Sequence, residues 1–228
     1  MSETLVTKIV SIVLPPKMDI KEHIKEKADD LFRKYGIKSV TMDDIAAHAG
    51  MSKKTIYHSF SDKKELVDEV VEDILITNKI CCAESQENAT NAIEELFLAM
   101  ENLHKFLGNI NPSILFDIQR GYPVTYNRFL KYKQDFLFTL FKKNLIRGIN
   151  EELYRPELNV EIISRMRLEM VMLPFKEDIF PTNKKPLFEV QEELTEYFLF
   201  GVASPKGYKL IMKYIQERTE KKNTKKES

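Results

Sequence analysis

From Asp19 onward the apolar residues recur at helical spacing. Ile20, Ile24, Ala28, Leu31, Phe32 and Tyr35 share one face, Asp19 and Glu22 are placed to cap its start, and Gly36 to stop it. Thr41 with Asp44 makes a second capping box; Met42, Ile45, Ala46 and Ala49 then share a face until Gly50 ends a helix of barely two turns. Ser52 caps a third short helix. Ser61 or Asp62 opens a fourth over 61–78, with an apolar stripe of Leu66, Val67, Val70, Val71 and Ile74. Beyond a polar break at AESQENATN the pattern predicts longer, more aromatic helices near 90–108, 112–121, 124–150, 158–173, 186–202 and 205–219. Pro112, Pro123, Pro156, Pro174, Pro181, Pro186 and Pro205 fall at their boundaries, where a fixed φ and a missing N–H do least harm. No strand alternation persists, so the expected fold is all-α.

The two ends differ from this body. MSETLVTKIVSIVLPP is apolar and β-branched, but it is short, is interrupted by Lys8 and lacks a basic start and a small-residue cleavage site, so it makes a poor signal peptide. An arm reaching into a DNA minor groove would carry arginines, and it has none. Met18 stands where the character changes, as a natural start would. The expected organisation is a flexible extension at 1–17, a three-helix head at 18–65, a larger helical domain at 66–219 with helix four (61–78) as connector, and a disordered tail at 220–228 whose charged sequence has no apolar anchor.

Composition narrows the function classes. At 228 residues and 43% apolar the chain can bury a sizeable core, and no stretch reaches the roughly 20 apolar residues of a membrane span. Thirty-five basic residues balance thirty-five acidic ones, so attraction to nucleic acid must come from a local patch. The two cysteines, Cys81 and Cys82, are adjacent, which suits neither an ordinary disulfide nor a zinc site; a reducing cytoplasm is the simplest home. Nothing basic beside them in sequence would depress a thiol pKa, as a thiol sensor requires. A glycine-rich phosphate loop, paired metal-ligand motifs and a Gly-x-Ser-x-Gly elbow are all missing, so we expect a binding protein without cofactor or metal, not an enzyme.

The local patch lies in TMDDIAAHAGMSKKTIYHSF. A helix-turn-helix needs small residues where its helices cross, a glycine for a left-handed turn, and a second helix with polar and basic side chains facing outward. Ala46, Ala47, Ala49 and Gly50 meet the first two demands. Lys53, Lys54, Thr55, Tyr57 and His58 meet the third, while Ile56 and Phe60 turn inward. Met51 to Lys64 holds four lysines and one acid, a positive field on a neutral chain.

TMDDIAAHAGMSKKTIYHSFSDKKEL resembles the N-terminal DNA-binding motif of the TetR family of transcriptional regulators. It matches the Thr-x-x-x-Ile-Ala start, the Ala-Gly turn, the Ser-x-x-Thr-x-Tyr recognition helix and the Phe-x-x-Lys-x-x-Leu opening of helix four. GINEELYRPELNVEII and FLFGVASPKGYKLI resemble one subgroup of that family more weakly. The resemblance implies an all-helical homodimer with a variable ligand domain behind its DNA-binding heads. By position it makes Thr41, Lys53, Thr55, Tyr57, His58 and Lys63 DNA contacts, mostly to phosphates; Ser52 belongs to the same segment, and Lys54 replaces a common glycine and adds a candidate. The function implied is a ligand-responsive regulator, expected to be a repressor on a palindromic operator; the alternative is a helical adaptor or small-molecule-binding protein without an operator.

Two further surfaces are expected. An apolar organic effector enclosed by helices five to eight would meet some of Phe97, Met100, His104, Phe116, Tyr122, Tyr126, Phe129, Phe136 and Met166, although the same aromatic residues suit a filled core and His104 suits an ordinary histidine. A dimer interface would use Ile162, Ile163, Met166 and Met170 on one helix and Leu187, Val190, Leu194, Tyr197 and Phe198 on another, closing a four-helix bundle between subunits.

Overall fold

Helix α1 (Ile20–Tyr35) starts on Asp19, whose side chain accepts a hydrogen bond from the Lys21 N–H, and buries Ile24, Ala28 and Phe32. The computed structural model describes residues 19–107, 110–176, 178–181 and 185–224; the expected extension at 1–17 and positions 225–228 of the expected tail lie outside them. Gly36 ends α1 at φ +79°, where a Cβ would come within 2.6 Å of Ser113 Oγ. Helix α2 (Met42–His48) carries the full Thr41–Asp44 capping box, and α3 (Lys53–Ser59) follows a turn in which Gly50 takes φ +65°. Ile45, Ile56 and Phe60 are fully buried between α1, α2 and α3.

Helix α4 runs from Lys63 to Asn88, capped by Asp62, and so continues well past residue 78. Ala, Glu and Gln within the expected break are good helix formers. The chain leaves the helix only at Ala89–Asn91, where Asn91 Oδ1 accepts from the N–H groups of Ile93 and Glu94 and caps α5 (Ala92–Leu107). Helices α6 (Ser113–Gly121) and α7 (Pro123–Lys131) meet at Pro123. α7 passes through a wider π-helical segment, Tyr132–Leu137, into α8 (Phe138–Asn150), where a single helix over 124–150 was expected. Helices α9 (Val160–Met170), α10 (Leu187–Val202) and α11 (Pro205–Thr224) complete the body. α11 reaches Thr224, so its backbone extends into the segment expected to be a disordered tail. Among the described residues no helix is long and apolar enough to cross a membrane.

Among the described residues three apolar clusters hold these helices. The first joins α1 to α4 and takes in Ile118 of α6; the second joins α5, α8, α10 and α11 around Ile93, Leu145, Tyr154, Leu199 and Ile211; the third is Tyr132, Leu137 and Leu168. The two weaker sequence motifs pack on each other inside the second cluster. Tyr154 pairs with Ala203 through Arg155 N–H to Val202 C=O and Ser204 N–H to Leu153 C=O, both 2.9 Å. The buried Tyr154 ring lies on Gly148, and its hydroxyl donates to Ala92 C=O and Asn144 Oδ1, both at 3.2 Å.

A methyl at Gly148 would come within 2.0 Å of the Tyr154 ring. Gly148→Ala is therefore expected to cost about 1–3 kcal/mol of stability, read from urea denaturation. An unchanged midpoint would contradict this packing.

Candidate nucleic-acid interface and effector cavity

The head presents α3 as expected from the sequence. Lys53, Lys54, Tyr57 and His58 are exposed on one face, Thr55 is partly covered, and Ile56 and Phe60 anchor the opposite face. Thr41 and Ser52 are exposed caps: the Thr41 hydroxyl donates to Asp44 Oδ2 at 2.6 Å, and Ser52 Oγ accepts from the Thr55 N–H at 3.1 Å. Lys53 Nζ rests on Asp43 at 2.5 Å, an exposed pair that water and phosphate can displace.

Lys63 behaves differently. Its ammonium turns under the head and donates to the carbonyls of Ile37 (2.5 Å) and Val40, at the turn between α1 and α2. Burial lowers its pKa, with Asp117 and Asp44 opposing the shift. The phosphate contact expected for Lys63 is thus replaced here by an internal one. The carbonyls of the turn that follows α1 claim the cation, Ile37 C=O in addition to the Val40 N–H it accepts at 3.4 Å. Lys54 and Lys64, both exposed and in no described ion pair, carry the open positive charge.

Behind the head lies a cavity of about 260 Å³. Phe32 and Ile37 of the head, Val71 and Leu75 of α4, Leu96 and Met100 of α5, Phe129, Tyr132 and Phe141 of the long α7–α8 rod, and Arg167, Gln191 and Thr195 of α9 and α10 form its wall. Of the expected pocket residues, Met100 and Phe129 line it. The others sit elsewhere. Phe97 packs on Tyr214 across α11, and His104 sets its ring edge-on to Phe188 at 4.1 Å. Phe116 is exposed beneath Arg120; Tyr122 and Tyr126 close the first cluster; Phe136 stacks on Tyr132; Met166 points outward, 44% exposed. Cys81 and Cys82 reach the wall, but burial and then the neighbouring sulfur push Cys82 up to about 11, so it stays a thiol at neutral pH.

The expected dimer stripes divide. On α9 the buried positions are Ser164, Arg167, Leu168 and Met170, so the inward face is half polar and the expected stripe is split: Ile162 is 62% exposed, Met166 is also exposed, and Ile163 is half-buried against the second cluster. Met170, Leu187, Val190 and Phe198 are consumed by packing within the protomer, while Leu194 is half-buried and Tyr197 is 76% exposed. A partly polar inward face suits a helix bordering a cavity, and it leaves Ile162 and Met166 outside.

Comparison with known proteins places the head. Residues 24–70 match the profile described as bacterial regulatory proteins, tetR family. The chain is 36% identical over 90 residues to YhgD of Bacillus subtilis, an uncharacterized HTH-type transcriptional regulator; the match covers 40% of this chain and 44% of YhgD, less than half of that relative. It is 25% identical over 146 residues to the HTH-type transcriptional repressor KstR2 of Mycobacterium tuberculosis, covering 61% of this chain and 72% of KstR2. A TetR-family regulator from Agrobacterium tumefaciens superposes with a TM-score of 0.67 at 17% identity, over 81% of this chain and 98% of that one, a likeness of fold alone.

The inward placement of Lys63 has a direct consequence for stability. Lys63→Met should cost about 1–3 kcal/mol, because it strips two carbonyls of a charged donor. Lys54→Ala should stay within about 0.5 kcal/mol of the parent in chemical denaturation. Equal stability of the two variants would refute the internal role.

Proposed function

We propose that this chain, a TetR-family protein by its N-terminal module, is a DNA-binding transcriptional regulator, a ligand-responsive repressor acting as a homodimer on a palindromic operator. One observation carries the reading: α3 turns Lys53, Lys54, Tyr57 and His58 to solvent on a helix pinned by Ile56 and Phe60, next to a cavity whose wall includes the head's own Phe32 and Ile37. In this arrangement α3 enters a major groove, its hydroxyl and ammonium groups take phosphates, and Lys53 or Lys54 reaches a base edge. Relatives whose names call them HTH-type regulators and a repressor support the same function.

The homodimer forms through the apolar residues left outside on α9 and α10. Ile162, Met166 and Tyr197 are too exposed for a lone protomer's core, and covering them with a second copy removes that area from water. An effector in the cavity acts by binding better to the arrangement whose heads do not fit the operator. A differential of about 1–3 kcal/mol changes operator affinity roughly five- to 150-fold, and the operator weakens effector binding by the same factor.

Selection of bound sequences from random DNA with the purified protein tests this function; recovery of no inverted repeat would count against it. On the selected operator, Tyr57→Phe should weaken binding to all sequences alike, and Lys54→Ala should flatten the dependence of log affinity on log salt by about one unit. Binding untouched by both changes would reject this docking. Tyr197→Glu should give folded monomers in sedimentation, with operator affinity lost; a stable dimer would move the interface elsewhere.

A further inference from the structure

Arginines packed into this protein are matched to acids. Arg147 bridges Glu95 and Glu151, Arg128 meets Asp68 and Glu72, Arg218 meets Glu192, and Arg33 holds Asp29. Among the described residues Arg167 is the exception. It is 4% exposed and lines the cavity from α9. Its Nη2 donates to Thr195 Oγ1 at 2.9 Å, while Nε and Nη1 are buried without a hydrogen-bond partner. The rings of Phe198 and Phe141 flank the guanidinium at 4.8 and 5.8 Å. Burial lowers its pKa to about 10, which leaves it charged at neutral pH.

A desolvated cation with two open donors and no counter-ion is costly, and a buried charge is ordinarily paired. Among the described residues, the two carboxylates that share the cavity wall are already engaged, Asp29 by Arg33 and Glu95 by Arg147. The missing partner is therefore an anion from outside the chain. One uncommitted cation matches one negative charge, so a carboxylate fits better than a phosphate. The surrounding Leu96, Met100, Phe129 and Phe141 require the rest of the molecule to be apolar.

We propose that the cavity receives an apolar carboxylic acid, its carboxylate held on the open guanidinium donors of Arg167 and its hydrocarbon body laid against the walls of α5 and α8. This rests on the reading that the cavity takes an effector, and it adds the chemical class and the anchor. Thr195 and Gln191 position the guanidinium: Gln191 Nε2 donates to Thr195 Oγ1 at 3.3 Å, and that hydroxyl, while accepting from Arg167, donates to Gln191 C=O at 2.8 Å.

The test is calorimetry of the full chain, free of DNA, against decanoate, 1-naphthaleneacetate and 4-phenylbutyrate, each beside its methyl ester. At least one acid should bind tenfold or more tighter than its ester. Arg167→Gln and Arg167→Met should each lose that preference tenfold or more while leaving ester binding unchanged. Arg167→Met should fold at least as stably as the parent, since it removes an uncompensated charge. If it does not fold, the acid-to-ester ratio of the parent and the Arg167→Gln variant decide. No binding by any of the three acids, equal binding of acid and ester, or a preference that survives in Arg167→Gln would overturn the proposal. Tighter binding of decanoyl-CoA than of decanoate would also overturn it, because the head group would then not be a lone carboxylate. Operator binding is measured separately. An acid that binds through Arg167 without weakening operator affinity leaves the anchor standing and rejects the switch, whereas intact operator binding with no acid bound rejects the anchor alone.

Discussion

The N-terminal head does not close its own core. A unit of about 50 residues leaves much of its apolar surface uncovered. Here Ile118 of α6 fills the gap between α1 and α4, with Ile114, Tyr122 and Tyr126 packed behind it. Polar contacts fix the same junction: the Asn111 N–H reaches Arg33 C=O at 2.7 Å, and Asp117 accepts from the Lys38 N–H at 2.9 Å. Gly36 allows this approach, since any side chain there would strike Ser113. The end of α1, and with it the turn that Lys63 holds, is tied to α6.

That shared core joins the cavity to the head. Phe32, Ile37, Val70 and Val71 are at once core of the head and wall of the cavity. A molecule that fills the space presses on the residues that set α1 against α4, so a choice between two head arrangements needs no distant relay. Helix α4 was expected to be the one connector between the two sites. The structure adds a second, through α6 to α1, and two attachments constrain the head's orientation more than one.

How much of this was legible in the sequence follows from how local each signal is. The head was read closely, because caps at Thr41 and Ser52, the turn at Gly50 and the inward pair Ile56 and Phe60 each act within a few residues. The end of α4 was missed because polar residues of good helix propensity look like a linker without their neighbours, Asn102 bonded to Ser85 among them. Lys63 departs from its sequence pattern for a related reason: charge predicts exposure, and only the fold reveals the two carbonyls that hold it. The pocket was least legible. Aromatic content points to helices five to eight, but Phe97, Tyr122 and Tyr126 belong to core clusters, whereas the polar Arg167, Gln191 and Thr195 come to the wall.

Helix α9 shows why the pattern misled. A helix buried on one side normally places its apolar stripe inward, and Ile162, Ile163, Met166 and Met170 suggest such a stripe. The observed inward face is instead Ser164, Arg167, Leu168 and Met170, with Ile162 and Met166 left outside. Exposed apolar residues beside a partly polar inner face are unfavourable for an isolated protomer on both counts. Both costs are relieved together if the outer face meets a second copy and the inner face meets a bound anion. On that reading one rigid helix belongs to the dimer interface and the effector site at once. A tilt of α9 that accommodated a ligand would then also shift a second copy packed on its outer face, and with it the spacing between two heads, on which the proposed operator binding depends.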